Sequence, residues 1–254
     1  MPEAVVFDIE TGPLPDGVLE RLAPPFDPLK FDKGGIIGRE FDKDADVKLG
    51  NASLAKTVAK KISEGRVKFA AKQADLVKQV ETARQTAFGK FRDKAALSAM
   101  TGQVLATGYF NQRIQIDSRD ERDQLLKFWG VAKETIGRGN RMIGFDIFRF
   151  DLPFLAHRTW VLRLSFPLSE MFDGRKWNAG FIDIREVYRL GVYGEYISLD
   201  TLAKGLGVGQ KTPDMSGADF YKVWATNRNK AKAYLANDLT NTRACAERLG
   251  CLNV

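Results

Sequence analysis

The chain has 254 residues, of which 44% are hydrophobic and 11% aromatic, with a formal charge of +7 and an isoelectric point near 9.3. That is enough apolar material for one large domain, or for a domain of ordinary size that carries an insertion. No apolar run approaches the roughly 18 residues of a membrane span, and residues 1–15 lack the charged-then-apolar layout of an export signal, so a soluble cytoplasmic protein with no membrane partner is expected.

The first strand is read over residues 3–10, followed by turn chemistry in Gly12-Pro13-Leu14-Pro15-Asp16-Gly17 and a second breaker cluster at Ala23-Pro24-Pro25-Phe26-Asp27-Pro28. Lys30–Gly50 shows no sustained period and reads as an irregular excursion. From Ser53 the pattern turns helical: Leu54, Val58 and Ile62 stand four apart, and Phe69, Leu76, Val80 and Ala83 continue the stripe. Gly65 is expected to break or bend this element into one long helix or a helical pair. Its flanks are lysines. Residues 43–94 hold 13 Lys and Arg against 6 Asp and Glu, so this segment supplies the whole basic excess. It is either a solvated helix face or a surface for phosphate backbones or a protein partner.

Strands follow at residues 102–110 and 113–116, joined by an Asn111-Gln112 turn. A helix over 119–136 is predicted to turn Leu125, Leu126, Phe128 and Trp129 inward. Met142–Phe145 is a short buried strand, Asp151 with Pro153 opens a helix through about Leu164, and Phe181–Ile184 is a further short strand. Ser198–Gly205 and Lys230–Leu249 complete the helices. Early strands with intervening helices predict a mixed α/β sheet begun by an antiparallel hairpin, with the basic, largely helical insertion (18–98) between its first two strands. Cys245 and Cys251, the only cysteines, are expected to be free thiols in a reducing compartment.

Three acidic sites stand out. In Phe7-Asp8-Ile9-Glu10-Thr11, Asp8 and Glu10 are two apart on a strand and leave on the same side. Two carboxylates about 4 Å apart repel by roughly 4 kcal/mol at an effective dielectric near 20, so the pair needs water or a shared cation. Hard divalent cations suit such oxygen ligands. In Gly144–Leu155, Asp151 stands at a helix mouth, where an Asp before a Pro-bearing first turn also makes a good N-cap. In Tyr234-Leu235-Ala236-Asn237-Asp238, Tyr234 and Asp238 are four apart and share a helix face. A half-exposed helix surface has the same spacing.

In this order, D-x-E, then F-D-x-P, then Y-x-x-x-D resembles the DEDD superfamily of 3′–5′ exonucleases, with the tyrosine marking the DEDDy branch. Within it the first two motifs are most similar to the exonuclease domain of family B DNA polymerases and its stand-alone relatives. The resemblance covers residues 3–12 and most of 102–250, but not the basic segment. It implies a ribonuclease-H-like fold over 1–254. Asp8, Glu10, Asp151 and Asp238 would ligate two Mg²⁺ or Mn²⁺ ions, and Tyr234 would position the attacking water. Tyrosine, with a reference pKa of about 10, is a poor base at neutral pH, so activation falls to the metal. Phe150 and Leu14 are candidates for contacting terminal bases, and Thr11 and Gly12 for bringing backbone near the 3′ end.

The second motif departs from the family at its first position, where Asp146 replaces the usual Asn and brings a fifth carboxylate. His157 is too far from the third motif to be the water-activating histidine of the DEDDh branch. Lys204 and Lys211 are candidates for phosphate contact, and Lys211–Gly217 is either a shaped loop near the site or an ordinary surface loop. The reading is hydrolysis at 3′ ends of single-stranded DNA, releasing nucleoside 5′-monophosphates. A 3′–5′ exoribonuclease and a catalytically idle nucleic-acid-binding module stay open as alternatives, because the 2′-hydroxyl contacts that separate DNA from RNA are not legible in the motifs.

Overall fold

A computed structural model describes residues 4–51, 54–192, 194, 196–213 and 215–253. The readings at Glu3, Ser53 and Asp214 lie outside these residues. The chain divides into two compact units, one comprising residues up to Leu19 together with those from Asp93 onward, the other Glu20–Arg92.

In the first unit, β1 (Val5–Pro13) is the centre of a five-stranded mixed sheet whose order is β3-β2-β1-β4-β5. The hairpin of β2 (Gly102–Phe110) and β3 (Ile114–Asp117) lies antiparallel on one side of it, and the parallel strands β4 (Met142–Gly144) and β5 (Phe181–Asp183) on the other. The expected α/β sheet begun by an antiparallel hairpin is therefore present. The helices, in chain order, are α1 (Asp16–Leu22), α2 (Lys43–Asp46), α3 (Ala55–Ala95), α4 (Glu121–Gly137), α5 (Asp151–Val161), α6 (Leu168–Met171), α7 (Ile184–Arg189), α8 (Leu199–Gly205), α9 (Phe220–Thr226) and α10 (Arg228–Arg248).

Alternation along β1 divides the core in two. Phe7 and Ile9 pack with Leu125, Phe128, Trp129 and Leu155 of α4 and α5. Val6 joins the opposite cluster, with Leu202, Phe220, Leu235 and Leu239 of α8, α9 and α10. Helix α10 comes close to the sheet over Gly108, where a Cβ would stand 2.6 Å from Leu239 Cδ1. Gly108 is the register partner of Asp8, so the missing side chain brings the third motif over the first. On α4 the inward face is Leu125, Phe128, Trp129 and Ala132, spaced by threes and fours. Leu126, expected inward, is 53% exposed because it falls about 100° from that stripe.

In the second unit the irregular excursion runs back along α3. Phe26 lies beneath Arg84, Gln73 Nε2 donates to the carbonyls of Ile36 and Arg39, Phe41 packs edge-on to Phe69, and Lys61 donates to the Leu49 carbonyl. Gly65 does not break the helix, which runs unbroken for 41 residues. Its role is close approach, since a Cβ there would collide with the Val47 side chain. Leu54, expected on the inner stripe, precedes the helix and is 73% exposed.

Candidate active site

Asp8 and Glu10 leave β1 on the face covered by α10, which carries Tyr234 and Asp238 one turn apart. One carboxylate oxygen from each of Asp8, Glu10 and Asp238 falls within 4.8 Å of the others. Glu10 and Asp238 are buried, and Asp8 half-buried. Directly after Glu10 the β1–β2 register shifts, a bulge of the kind that re-aims side chains at the end of a pairing.

Asp151 reaches the same strand from its edge. Strand β4 pairs with β1 only through Val5 and Val6, so the backbone beyond is open on that side. Asp151 Oδ1 accepts the Ile9 amide hydrogen there at 3.2 Å. Asp151 is thus not the cap of its helix; the N-cap residue of α5 is Phe150, which makes no side-chain cap bond. Asp151 lies outside the 4.8 Å set, yet close enough to add to the electrostatic penalty on Asp8.

Burial and mutual repulsion dominate the electrostatics. Asp8 is held well above the usual carboxylate range by burial first and then by Asp151 and Asp238. Glu10 is raised likewise, by burial, Asp8 and Asp238. Burial pushes Asp151 up to about 7, against the lowering effect of the Ile9 amide. Asp238 is raised by burial and relieved in part by Lys211. Tyr234, 1% exposed, is driven further from ionisation by burial and by the carboxylates of Asp238, Glu10 and Asp8.

Lys211 carries more than its position in sequence indicated. Its Nζ donates to the Tyr234 hydroxyl at 2.8 Å and lies 3.6 Å from Asp238 Oδ2. Its backbone amide donates to Asp200 Oδ1, and the preceding Gln210 carbonyl accepts from Asn237 and Asn241 of α10. The loop is therefore pinned to the helix that bears Tyr234. Lys204 instead pairs with Asp200 at 2.7 Å. One lysine set against four acids leaves a local excess of negative charge, and Asp238 Oδ1 is buried without a hydrogen-bond partner among the described residues. An all-oxygen donor set with an orphaned buried oxygen fits a hard divalent cation.

The remaining candidates are less open. Thr11 is buried with its hydroxyl donating to the Ala96 carbonyl at 2.7 Å. Gly12 is buried against Leu105 and Tyr221, so its close approach serves internal packing. Leu14 and Phe150 are partly exposed, and Phe150 lies 5.5 Å from the Phe154 ring. His157 is exposed on α5, and both cysteines are buried and free.

Asp146 has a partner that sequence reasoning missed. It adopts φ 59°, a left-handed conformation that Asp and Asn tolerate, and its Oδ1 lies 2.6 Å from Nη1 of the buried Arg185. Asp183 braces the same turn by accepting the amides of Asp146 and Phe148. Arg185 sits 4.2 Å from the Tyr196 ring centroid. Nothing in the sequence marks it, because Phe181–Val187 already carries two other charges, Asp183 and Glu186.

A family model for the RNase H superfamily matches residues 93–241. The chain belongs to the RNase H superfamily. Among solved structures, the family B DNA polymerase from the hyperthermophilic archaeon Pyrobaculum calidifontis is similar, with 18% identity, a TM-score of 0.50 and 62% of this chain covered. The match spans 23% of that polymerase, and at this identity the likeness is one of fold. No curated protein matches. No helix among the described residues of this RNase H superfamily member is long and apolar enough to cross a membrane.

Proposed function

We propose that this chain is a metal-dependent 3′–5′ exonuclease that hydrolyses the terminal phosphodiester of single-stranded DNA and releases nucleoside 5′-monophosphates. The observation that carries the reading is the convergence of Asp8, Glu10 and Asp238 within 4.8 Å, from the first strand and the last long helix of an RNase-H-type fold. Asp151 completes the four-acid pattern from the open edge of β1. In this reading the chain is one ribonuclease-H-like domain over 1–254, with 18–98 as an insertion.

Asp8, Glu10, Asp151 and Asp238 would hold two Mg²⁺ or Mn²⁺ ions, which when bound supply charge neutralisation and an activated water nucleophile. The chain's own groups do the positioning. The buried Tyr234 hydroxyl, kept protonated by its surroundings, serves as a hydrogen-bonding group that orients water rather than as a base. Lys211 fixes that hydroxyl and brings a positive charge to the place where phosphoryl charge develops. Asp151 is oriented by the Ile9 amide.

Purified protein given a 5′-labelled oligonucleotide with Mg²⁺ or Mn²⁺ should yield a ladder shortening from the 3′ end, and Asp8→Ala should abolish it. Full activity in Asp8→Ala, or internal cuts only, sinks the proposal. Matched DNA and RNA oligonucleotides in the same assay read the sugar preference.

A further inference from the structure

The unit Glu20–Arg92 contains a groove of about 1040 Å³, between the proline-rich segment at residues 23–31 and the turns of α3 from Ala83 to Phe91. Its walls are aromatic. The Phe26 and Phe31 rings stack at 16° with centroids 5.9 Å apart, and Phe88 and Phe91 lie 6.5 Å from one another on the helix side. The Arg84 guanidinium carbon stands 5.6 Å from the centre of Phe26, while Phe31 remains 41% exposed. Lys30 and Lys90 add two further cations to the lining. Of the two acids there, Asp27 is turned to the backbone, accepting the Leu29 amide. The unit as a whole holds 16 Lys and Arg against 10 Asp and Glu, a net +6.

We infer that this groove is a binding site for single-stranded nucleic acid, with bases on the Phe26–Phe31 stack and phosphates met by Lys30, Arg84 and Lys90. Parallel aromatic faces bordered by cations are what a sequence-tolerant single-strand site requires: every base has a face to stack, and every linkage carries a charge to neutralise. Its volume, at the top of the roughly 300–1,000 Å³ range of ligand pockets, leaves room for more than one planar group. An acidic peptide could meet the same cations, but a nucleic acid brings a planar ring with every charge, which suits the stacked Phe26–Phe31 pair beside three cations. The choice of polyanion rests on the nuclease reading of the acidic site, and the test separates the two.

The experiment is fluorescence anisotropy of a labelled oligothymidylate with the full chain in EDTA, across a salt series, for wild type, Phe31→Ala and the combined Lys30→Gln, Arg84→Gln, Lys90→Gln variant. These residues lie at a groove surface, and unchanged circular dichroism checks their folding. The triple variant should flatten the dependence of log K on log salt by about 0.7 per lost phosphate contact, about 2 in all. Phe31→Ala should weaken binding about tenfold with the slope unchanged. Mg²⁺-dependent cleavage of a trinucleotide, read alongside, reports the acidic site by itself. Cleavage with wild-type affinity and slope in both variants overturns the groove assignment and leaves the nuclease reading standing. Lost binding in a protein that cleaves nothing supports the groove and removes the nuclease reading. A labelled peptide of Glu and Leu that loses binding in both variants, while oligothymidylate binding persists, makes the groove a protein-docking site and overturns the inference.

Discussion

Lys211 Nζ and the Tyr234 hydroxyl, 23 residues apart in sequence, are joined by a 2.8 Å hydrogen bond above the buried carboxylates. The bond gives the tyrosine an acceptor role toward the lysine and leaves its own proton for Asp238 or for water. Tyr234→Phe removes that positioning but no metal ligand. Its kcat should fall by about 10- to 100-fold with KM little changed, the pattern of a group that acts in the transition state. Lys211→Met should lower kcat as well and also raise KM, because the positive charge that the proposed mechanism sets toward the phosphate is lost. Steady-state kinetics on a short oligonucleotide separates the two patterns.

Asp8→Asn should have opposite effects on activity and stability. Under the proposed mechanism hydrolysis should drop by about 10²-fold or more, since one of the charged groups that would hold the metals is gone. At alkaline pH the metal-free protein should unfold at a higher temperature, because the cost of burying that charge and its repulsion by Asp151 and Asp238 are relieved. Thermal unfolding in EDTA beside a cleavage assay reads both effects.

The raised acids also set a pH dependence. Asp151, near 3.9 in the unfolded chain and pushed up to about 7 when folded, binds more protons in the folded state between those values. Its contribution to stability is present below about pH 4 and is lost as pH rises through 7. Asp8 and Glu10 act in the same direction. In EDTA the melting temperature should therefore be higher at pH 5.5 than at pH 8. Added Mg²⁺ or Mn²⁺ should raise it more at pH 8, where ligation has fewer protons to displace. Equal melting temperatures at both pH values without metal would show that these carboxyls are not buried together.

Asp146 is expected to be structural. Asp146→Ala strands the buried Arg185 and places alanine at φ 59°, and should cost about 3 kcal/mol in denaturant unfolding. Asp146→Asn keeps the left-handed preference and a side-chain acceptor, and should cost less than half of that. If Asp146→Ala costs less than about 1 kcal/mol, the contact with Arg185 is not what holds the turn.

The amino-acid sequence by itself determined those features that depend on neighbours along the chain. Alternation in Val5–Glu10 set Asp8 and Glu10 on one face, and the spacing of Tyr234 and Asp238 placed both on one side of a helix, because these periodicities are properties of the backbone. The tertiary structure alone decided what depends on distant segments meeting. Gly65 became a contact point for Val47 because the excursion folds back on it. Asp151 gave up capping for the Ile9 amide, 142 residues away, because β4 ends early and leaves that donor open. Lys211 and Arg185 looked like ordinary basic residues in one dimension. Only packing assigned one to a buried tyrosine and the other to Asp146, since a charge takes its role from the group it is buried beside.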